Sequence, residues 1–474
     1  MKYIFTMLLC LGAWCSWSQE VWTQKENFPT VNGIAGRDYF ASFAIGDKVY
    51  VGMGQASYSN GCNSSGTRQY TDWYAYTPAS NTWARIADFP GDYRNVGYVS
   101  FSIGNKGYFG LGYANGNFAS DFWEYDPALD VWTKKSDFPY RSYQAVGYAI
   151  GEKGYVVGGM IYDNLNNFID EEKQRNYEYD PATDNWIRKA DLPSGLSSAT
   201  GFAIGDKGYI GLGIGASGYS TEFFSYNTTT DSWSQIANYP KQSKQRAIGF
   251  SLGNLGYVIG GDNGVIADRK ELYSYDPAAD AWTLKQSYPG NFQNQNISGG
   301  NNQNVVNNKF YYGLGHVSTL SVVCGTYSYS YSCGSWWSSS TCYSYYNVYN
   351  YTFTYSNQWW EFALPLSITT GTVNTSLCQG TSFDVPFTKD GELADGNIFT
   401  AQLSDANGSF SNPVNIGTLA DTTNGIIRAT LPINITGTGY RVRVISSSPS
   451  ANGTGKKMLY ICLCIILECG ITLL

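Results

Sequence analysis

The sequence is poor in charge and nearly devoid of histidine. Asp, Glu, Lys and Arg make up 14% of its 474 residues, and His316 is the single histidine. The net charge is −7 and no long basic run occurs, so we expect no nucleic-acid partner. One imidazole does not suffice for copper chemistry, and no nucleophile elbow, phosphate loop or metal motif occurs. We therefore expect no metal and no cofactor.

Glycine and aromatic residues are abundant instead. The chain has 53 glycines, and 16% of its residues are Phe, Trp or Tyr. This composition is typical of many short strands joined by tight turns, and not of helices. The sequence therefore predicts an all-β fold, with a length that allows one large domain and a smaller one.

The N-terminus has the pattern of a secretory signal peptide. Lys2 is followed by the apolar run YIFTMLLCLGAW, and Ser16 and Ser18 stand at the −3 and −1 positions. This predicts a signal peptide over residues 1–18 and a chain that is secreted or reaches the outer cell surface. A lipoprotein signal is disfavoured because Trp14 precedes Cys15 and Leu9 precedes Cys10, where a small residue is needed.

The C-terminal tail, residues 456–474, differs abruptly from the polar segment before it. Its apolar part contains Glu468 and is shorter than the about 20 apolar residues of a membrane span. We expect no firm membrane span. A weak anchor and a shifted reading frame remain two alternatives for this tail.

A short apolar segment that ends in closely spaced glycines recurs six times. The copies are VYVGMGQ (49–55), GYFGLGY (107–113), GYVVGGM (154–160), GYIGLGI (208–214), GYVIGGD (256–262) and FYYGLGH (310–316). A tryptophan follows each copy: Trp83, Trp132, Trp186, Trp233, Trp282 and Trp359. Each unit of about 50 residues predicts four antiparallel strands, which cannot bury both faces alone and must stack on their neighbours.

These units resemble kelch repeats. The resemblance rests on the glycine pair, on Tyr-Asp-Pro turns such as Tyr125-Asp126-Pro127, and on the later tryptophan. It implies a six-bladed β-propeller of the galactose-oxidase-like type over residues 19–363. DFWEYDPALDVWTKKSDFP and SIGNKGYFGLGY are similar to secreted kelch proteins of Bacteroidetes. VWTQKENFP (21–29) could complete the last blade and displace WWEFALP (359–365), and the sequence leaves this closure open.

One face of the predicted ring carries the long loops 55–71, 160–175 and 316–349, and rigid scaffolds commonly bind through such loops. Four arginines are expected near this face, where they suit carboxylates or acidic sugars. The alternative is that they satisfy backbone carbonyls. The last loop is rich in Tyr, Ser and Trp, as in adaptable contact surfaces, or is a low-complexity insert. The candidate ligand-binding residues are Arg37, Arg94, Arg141, Arg246, Tyr329, Tyr331, Trp336 and Trp337.

Four cysteines fall in two of these loops, which become neighbours when the ring closes. Cys62 lies in the first loop, and Cys324, Cys333 and Cys342 lie in the last. In a secreted chain they predict two disulfides with open connectivity, and a zinc site is the less favoured alternative because the spacings are wide.

Residues 366–455 show alternating strands with Gly, Asn and Asp turns at sandwich spacing. They resemble the immunoglobulin-like modules of Bacteroidetes surface proteins, which implies a β-sandwich that acts as a spacer or stalk. Cys378 could pair with Cys462 or Cys464 only if the tail folds back.

The sequence favours a binding or adhesion protein for a glycan or protein ligand, with the oligomeric state open. The first alternative is a carbohydrate epimerase or mutarotase that uses a carboxylate base and an arginine. Glu222 and Glu271 are the available carboxylates, and no spacing singles out a pair. The second alternative is a purely architectural surface protein. The balance is against an enzyme.

Overall fold

The structure is a computed structural model that forms two compact units, one of them Val21–Ala363 and the other including Leu364–Leu474. It describes residues 21–31, 36–59, 65–94, 96–163, 167–169, 174–263, 265, 267–290, 304–314, 316–332, 341–364, 366–373, 376–391, 393, 396–448, 450–453, 455–457, 460–462, 464–467 and 470–473. Over these residues, no helix has both the length and the apolar character needed to cross a membrane.

The described residues of the first unit form six four-stranded antiparallel sheets, numbered here I to VI. Sheet I contains Ala41–Ile45, Lys48–Gly52, Trp73–Thr77 and Thr82–Ile86. Sheet II contains Val96–Ile103, Lys106–Ala114, Phe122–Asp126 and Val131–Lys135, with Asn117–Phe118 added to its second strand. Sheet III contains Val146–Ile150, Lys153–Val157, Asn176–Asp180 and Asn185–Lys189.

Sheets IV to VI repeat the same strand order. Sheet IV contains Thr200–Ile204, Lys207–Gly211, Phe223–Asn227 and Ser232–Ile236. Sheet V contains Gln245–Leu252, Leu255–Asp262, Leu272–Asp276 and Ala281–Leu284. Sheet VI contains Val305–Val306, Lys309–Gly313, Trp359–Ala363 and, as its fourth strand, the N-terminal Val21–Lys25.

Sheet VI settles the closure that the sequence left open. Its third strand pairs Gly313 with Trp359 on one side, and Trp359 pairs with Lys25 on the other. Trp359 therefore belongs to a third strand, and its assignment as a repeat-closing tryptophan was wrong. Trp22 takes that place, at the second position of the fourth strand, as Trp83 does in sheet I.

Six tryptophans link the sheets into a closed cycle. Each indole Nε1 donates to the carbonyl oxygen of the residue four positions after the tryptophan of the preceding sheet, over 2.8 to 3.2 Å. The bonds are Trp83 to Glu26, Trp132 to Ala87, Trp186 to Ser136, Trp233 to Ala190, Trp282 to Ala237 and Trp22 to Gln286. The last bond joins the N-terminal strand to sheet V and completes the cycle.

The turn between third and fourth strands supplies a second link in sheets I to V. Its Asp or Asn has a positive φ, which these two residue types tolerate: Asn81, Asp130, Asp184, Asp231 and Asp280. In each case Oδ1 accepts from the hydroxyl of the tyrosine five residues earlier and from a backbone N–H of the preceding sheet. One side chain thus fixes its own turn and the neighbouring sheet.

These aspartates predict a loss of stability in acid. The Ala237 N–H and the Tyr275 hydroxyl donate to Asp280 and hold the pKa of its carboxyl below the usual value of about 3.9. A lowered folded-state pKa stabilises the fold above the unfolded-state pKa, and this contribution is lost as the pH falls through the folded value. We expect the stability gap between wild type and Asp280→Asn to shrink from pH 6 to pH 3, measured by urea unfolding.

Asn81 shows that an amide fits the same turn, because its Oδ1 accepts the same two bonds at 2.8 Å each. Asp280→Asn should therefore fold, whereas Asp280→Ala should be less stable at every pH because two donors lose their acceptor. A gap between wild type and Asp280→Asn that does not change with pH would contradict this account.

The glycine pair that ends each second strand forms a left-handed exit. Gly158 and Gly159 have φ of 66° and 85°, and a Cβ on Gly159 would lie 2.7 Å from the Ala145 nitrogen. The first of these two positions does not require a glycine. Buried residues with positive φ occupy it elsewhere: Met53, Leu111, Leu212 and Leu314.

The second unit consists of further β-strands. One sheet contains Ser367–Thr370, Ser382–Asp390 and Gly425–Thr430, and another contains Val414–Ala420, Ile398–Leu403, Arg441–Ser447, Ser450–Asn452 and Lys456–Lys457. Both contribute to one apolar core, in which the Phe387 and Phe399 ring centroids lie 4.3 Å apart. The unit thus has two sheets around one core.

The start of the tail pairs with this unit. Ser376–Cys378 runs parallel to Tyr460–Cys462, with Cys378 across from Cys462, and Cys464–Leu467 pairs with Gly470–Leu473. Cys378 is disulfide-bonded. The backbone thus shows the fold-back of the tail that the sequence named as the condition for pairing Cys378 with Cys462 or Cys464.

Candidate functional site

The connections between second and third strands extend beyond the sheets as hairpins, except in sheet V. Because successive strands alternate in direction, these connections open at the same end as the connections between sheets. We call this end the loop face. It carries Gln55–Ser59 with Ser65–Gln69, Met160–Tyr162 with Phe168–Ile169 and Arg141–Tyr143, Ile214–Gly215 with Gly218–Tyr219, the 3-10 helix Ala267–Lys270, and His316–Ser332 with Thr341–Tyr355.

Arg37 is buried, with 1% of its surface exposed. Its Nη1 donates to the Met53 carbonyl over 2.9 Å, and its two terminal nitrogens contact the Asp72 carboxylate at 2.7 and 3.2 Å. The guanidinium also lies 4.3 Å from the centre of the Tyr70 ring. The sequence left a ligand role and a carbonyl role open for this arginine, and these contacts support the second.

Arg94 has the same surroundings in sheet II, again with 1% exposure. Its Nε donates to the Leu111 carbonyl over 3.1 Å, Nη1 donates to the Asp92 carbonyl over 2.7 Å, and Nη2 pairs with Asp121. Leu111, like Met53, is the left-handed residue at the end of a second strand. Each arginine therefore donates a hydrogen bond to the backbone carbonyl of the left-handed residue, which the turn of the chain removes from the hydrogen bonding of the sheet.

Arg141 is half-buried and donates from Nη1 to the Phe118 carbonyl over 3.1 Å. It lines a groove of about 230 Å³ together with Arg94, Asp92 and Asp121. Arg94 and Arg141 are two of the four arginines that the sequence offered as ligand-binding candidates, and the structure places both along this groove on the loop face.

Arg246 lies at a different place, in a row of residues at the start of the first strands. Non-glycine residues in this row have positive φ: Tyr39 (52°), Gln144 (60°), Ser198 (53°) and Arg246 (58°). Backbone N–H groups join the row, from Gln144 to the Gly97 carbonyl (2.9 Å), from Ser198 to Gln144 (3.1 Å) and from Arg246 to Ser198 (2.8 Å). We call Tyr39, Gly97, Gln144, Ser198 and Arg246 the entry ring.

The repetition of left-handed residues in the entry ring is unusual. A non-glycine residue in this conformation costs about 1–3 kcal/mol and persists only where its surroundings enforce it. Here the bonds between neighbouring sheets enforce it, and they fix the side-chain directions at the same time. Such strain is concentrated at ligand-binding sites more often than elsewhere.

Two phenols stand close to the Arg246 charge. Burial raises the pKa of Tyr39 to about 12, and the positive charge of Arg246 opposes this rise. Burial likewise raises the pKa of Tyr143, again against the Arg246 charge. Both hydroxyls are therefore neutral at physiological pH and can donate or accept a hydrogen bond. Among the described residues, the buried Ser198 hydroxyl has no hydrogen-bond partner. The entry ring thus combines one cation with the hydroxyls of Tyr39 and Ser198, and the adjacent Tyr143 adds a third.

Sequence reasoning missed Tyr39, Tyr143 and Ser198. The available signal was their alignment, because each stands at or beside the position that Gly97 holds in sheet II and Arg246 holds in sheet V. When the equivalent position of successive repeats is occupied by Gly in one and by Tyr, Gln, Ser or Arg in the others, a special backbone conformation is indicated more than a packing role.

Several sequence candidates lie outside the described residues: Trp336, Trp337, Cys62 and Cys333. Four others lie on the two long strands of the last hairpin, of which only the backbone pairing is described. Tyr329 pairs with Ser344, Tyr331 pairs with Cys342, and Cys324 falls at an irregularity in the register. Their ligand-binding and disulfide roles remain predictions.

The carboxylates considered for catalysis lie apart in different sheets' connections. Glu222 lines a pocket of about 380 Å³ with Ser194 and Tyr219, and Glu271 forms an ion pair with Lys241 at 3.4 Å. In the part of the chain that the structure describes, no three His, Cys, Asp or Glu side chains are grouped so as to hold a metal ion.

The repeated four-stranded sheets, the cycle that joins them and the similarity to Kelch-like proteins support a kelch-repeat β-propeller. Kelch-like protein 35 of Mus musculus is 26% identical over 231 residues, which cover 48% of this chain and 37% of that protein. Kelch-like protein terF of Aspergillus terreus is 24% identical over 284 residues, covering 55% of this chain and 58% of that protein. The chain therefore matches only part of each relative.

A third relative has the name of an enzyme. N-acetylneuraminate epimerase of Pasteurella multocida is 33% identical over 141 residues, covering 28% of this chain and 34% of that protein. The solved structure of YjhT aligns with a TM-score of 0.44 and 19% identity, covering 55% of this chain and 86% of that chain. No protein-family model matches the chain.

Proposed function

We propose that this protein is a secreted or cell-surface binding protein, in which the loop face of a six-bladed kelch propeller recognises a glycan or protein ligand. The observation that carries the proposal is the entry ring, whose backbone is strained in four places and where the Arg246 charge acts on the phenols of Tyr39 and Tyr143. The second unit, as an immunoglobulin-like spacer, would carry the propeller.

The chemistry of the entry ring suits binding more directly than catalysis. Arg246 supplies a fixed cation with a planar donor fork, and this geometry matches carboxylates. The phenols of Tyr39 and Tyr143 are poor bases and poor nucleophiles, because burial keeps them protonated. The similarity to Kelch-like proteins, which covers about half of this chain, supports the kelch propeller on which the proposal is built.

The second candidate function is a carbohydrate epimerase or mutarotase. The epimerase of Pasteurella multocida favours it, because its identity with this chain is higher than that of the Kelch-like proteins, although over a shorter segment. Catalysis would need a carboxylate at the entry ring. Of the two carboxylates that the sequence offered, Glu222 instead lines a separate pocket, and Glu271 pairs with Lys241.

We expect Arg246→Gln to weaken an acidic ligand by about 10- to 100-fold, because it removes a charge-assisted hydrogen bond. A glycan array with the full chain identifies ligands, and titration calorimetry measures them. Arg85→Gln is the control, since Arg85 is exposed and pairs with Asp88 on a fourth strand. Ligand binding that is unchanged in Arg246→Gln would contradict the assignment of the entry ring.

NMR of the same ligands separates the two candidate functions. A binding protein shows saturation transfer without conversion, whereas an epimerase or mutarotase accelerates the exchange between the epimers or anomers. Conversion that is lost in Arg246→Gln but retained in Arg85→Gln would establish the enzyme and overturn the binding proposal.

A further inference from the structure

A second feature of the loop face is the polar groove between sheets II and III. It has a volume of about 230 Å³, and its lining includes Asp92, Asn115, Asn117, Phe118 and Arg141. None of its lining residues belongs to the entry ring. Pockets for drug-sized ligands span about 300–1,000 Å³, so this groove has room for a single small ring and not for a longer ligand.

The groove is rigid in its backbone. Asn115 and Gly116 have φ of 45° and 84°, which closes the hairpin that presents Phe118. Beyond Phe118, the Ala119 N–H donates to the Gly112 carbonyl over 2.8 Å, and Ser142 of the next sheet donates to Ala119 over 3.1 Å. A ligand would therefore meet a surface that is already formed, and binding would cost little ordering of loops.

Phe118 gives the groove a fixed aromatic surface. Its ring stacks on Tyr162 with centroids 3.5 Å apart and an angle of 8°, and Tyr113 and Tyr143 contact it at 5.2 and 5.7 Å. Arg141 also holds the Phe118 carbonyl. Phe118, which lines the groove, is thus held in place from several sides, and a ring with a fixed orientation is what stacking against a flat ligand requires.

The charges along the groove cancel. Arg94 is buried against Asp121, and Arg141 and the exposed Asp92 add one charge of each sign. A ligand carboxylate would meet two aspartates as well as two arginines, so the groove has no net charge that favours an acid. Carboxylate and amide oxygens that face a small cavity accept hydrogen bonds from hydroxyl groups instead.

We propose that this groove binds a neutral pyranose ring, which stacks against Phe118 and donates hydroxyl hydrogen bonds to Asp92. The inference rests on the proposed binding function of the loop face and names a ligand class for one part of it. It replaces the acidic ligand that the sequence suggested for Arg94 and Arg141, whereas Arg246 retains that role at the entry ring.

The test measures methyl glucoside, methyl galactoside and methyl mannoside against glucuronate, by saturation-transfer NMR and calorimetry with the full chain. At least one neutral glycoside should bind, and at least tenfold more tightly than glucuronate. Asp92→Asn should weaken it about tenfold and narrow the gap to glucuronate, because a charged acceptor becomes a neutral one. Phe118→Ala should weaken it by a similar factor.

Matched controls are Asp206→Asn and Tyr219→Ala, which change an exposed carboxylate and an exposed aromatic ring away from the groove. Asp92→Asn should leave the fold intact, because Arg94 donates its hydrogen bond to the backbone carbonyl of Asp92 and not to the side chain. This variant therefore tests ligand binding at the groove even if Phe118→Ala is unstable. No binding of any neutral glycoside overturns the inference. If Arg246→Gln weakens the binding of a glycoside and Asp92→Asn does not, the inference about the groove is also overturned, whereas the proposed binding function of the entry ring is retained.

Discussion

Replacing Trp22 with alanine should lower the free energy of unfolding by about 3–5 kcal/mol, the usual cost of removing a large buried aromatic side chain. Trp22 is 7% exposed, and its ring contacts Tyr288 at 5.1 Å and Phe362 at 5.0 Å. Its Nε1 makes the bond to Gln286 that joins the N-terminal strand to sheet V. The substitution therefore opens the cycle at its one non-sequential link.

Two milder changes separate the contributions of Trp22. Trp22→Phe retains the ring packing and loses the bond to Gln286, which should cost about 1 kcal/mol. Lys25→Ala removes a partly exposed ion pair with Glu361 in the same strand and should cost under about 1 kcal/mol. Urea unfolding measures all three. A Trp22→Ala variant as stable as Lys25→Ala would mean that the strand does not close the fold.

Replacing Arg37 with methionine should lower the free energy of unfolding by about 3–5 kcal/mol, because it leaves the buried Asp72 carboxylate without its partner. Methionine preserves part of the packing against Tyr70, so the lost ion pair and the lost bond to Met53 dominate the effect. The double variant Arg37→Met, Asp72→Asn should recover much of the loss, since it removes the unpaired charge.

The exposed pair Arg85 and Asp88 is the control for this prediction. Its nitrogen and oxygen atoms lie 2.8 Å apart, nearly the same as the 2.7 Å of the buried pair, but its side chains are 60% and 48% exposed. Arg85→Met should therefore cost under about 1 kcal/mol. Equal losses for Arg37→Met and Arg85→Met would show that burial does not set the contribution of Arg37.

The strands could be predicted because their signals are local. The glycine pair, the Tyr-Asp-Pro turn and the tryptophan after it mark the ends of successive strands within about 50 residues. The closure of sheet VI could not be decided from such signals, because its fourth strand comes from the other end of the unit. Trp22 and Trp359 both stand at plausible places in the sequence, and only the strand pairing distinguishes them.

The roles of the arginines could not be predicted, because their partners are distant in sequence. Arg37 meets Asp72 and Arg94 meets Asp121, and in both cases the carboxylate stands before the third strand of the same sheet. Burial separates Arg37 and Arg94 from the half-buried Arg246, and no local pattern in the sequence indicates this difference. The entry ring depends on backbone angles, and the mixed residue types at its aligned positions were the one signal of them in the sequence.

The pairing in sheet VI also determines how the propeller responds to force. Val21 lies across from Ala363, so the chain enters and leaves this unit at the same end of one antiparallel strand pair. Tension applied through both ends would peel that pair apart one hydrogen bond at a time, which is the weakest geometry for a sheet. The propeller unit is thus poorly suited to transmit tension between its two chain ends, because both ends load the same strand pair.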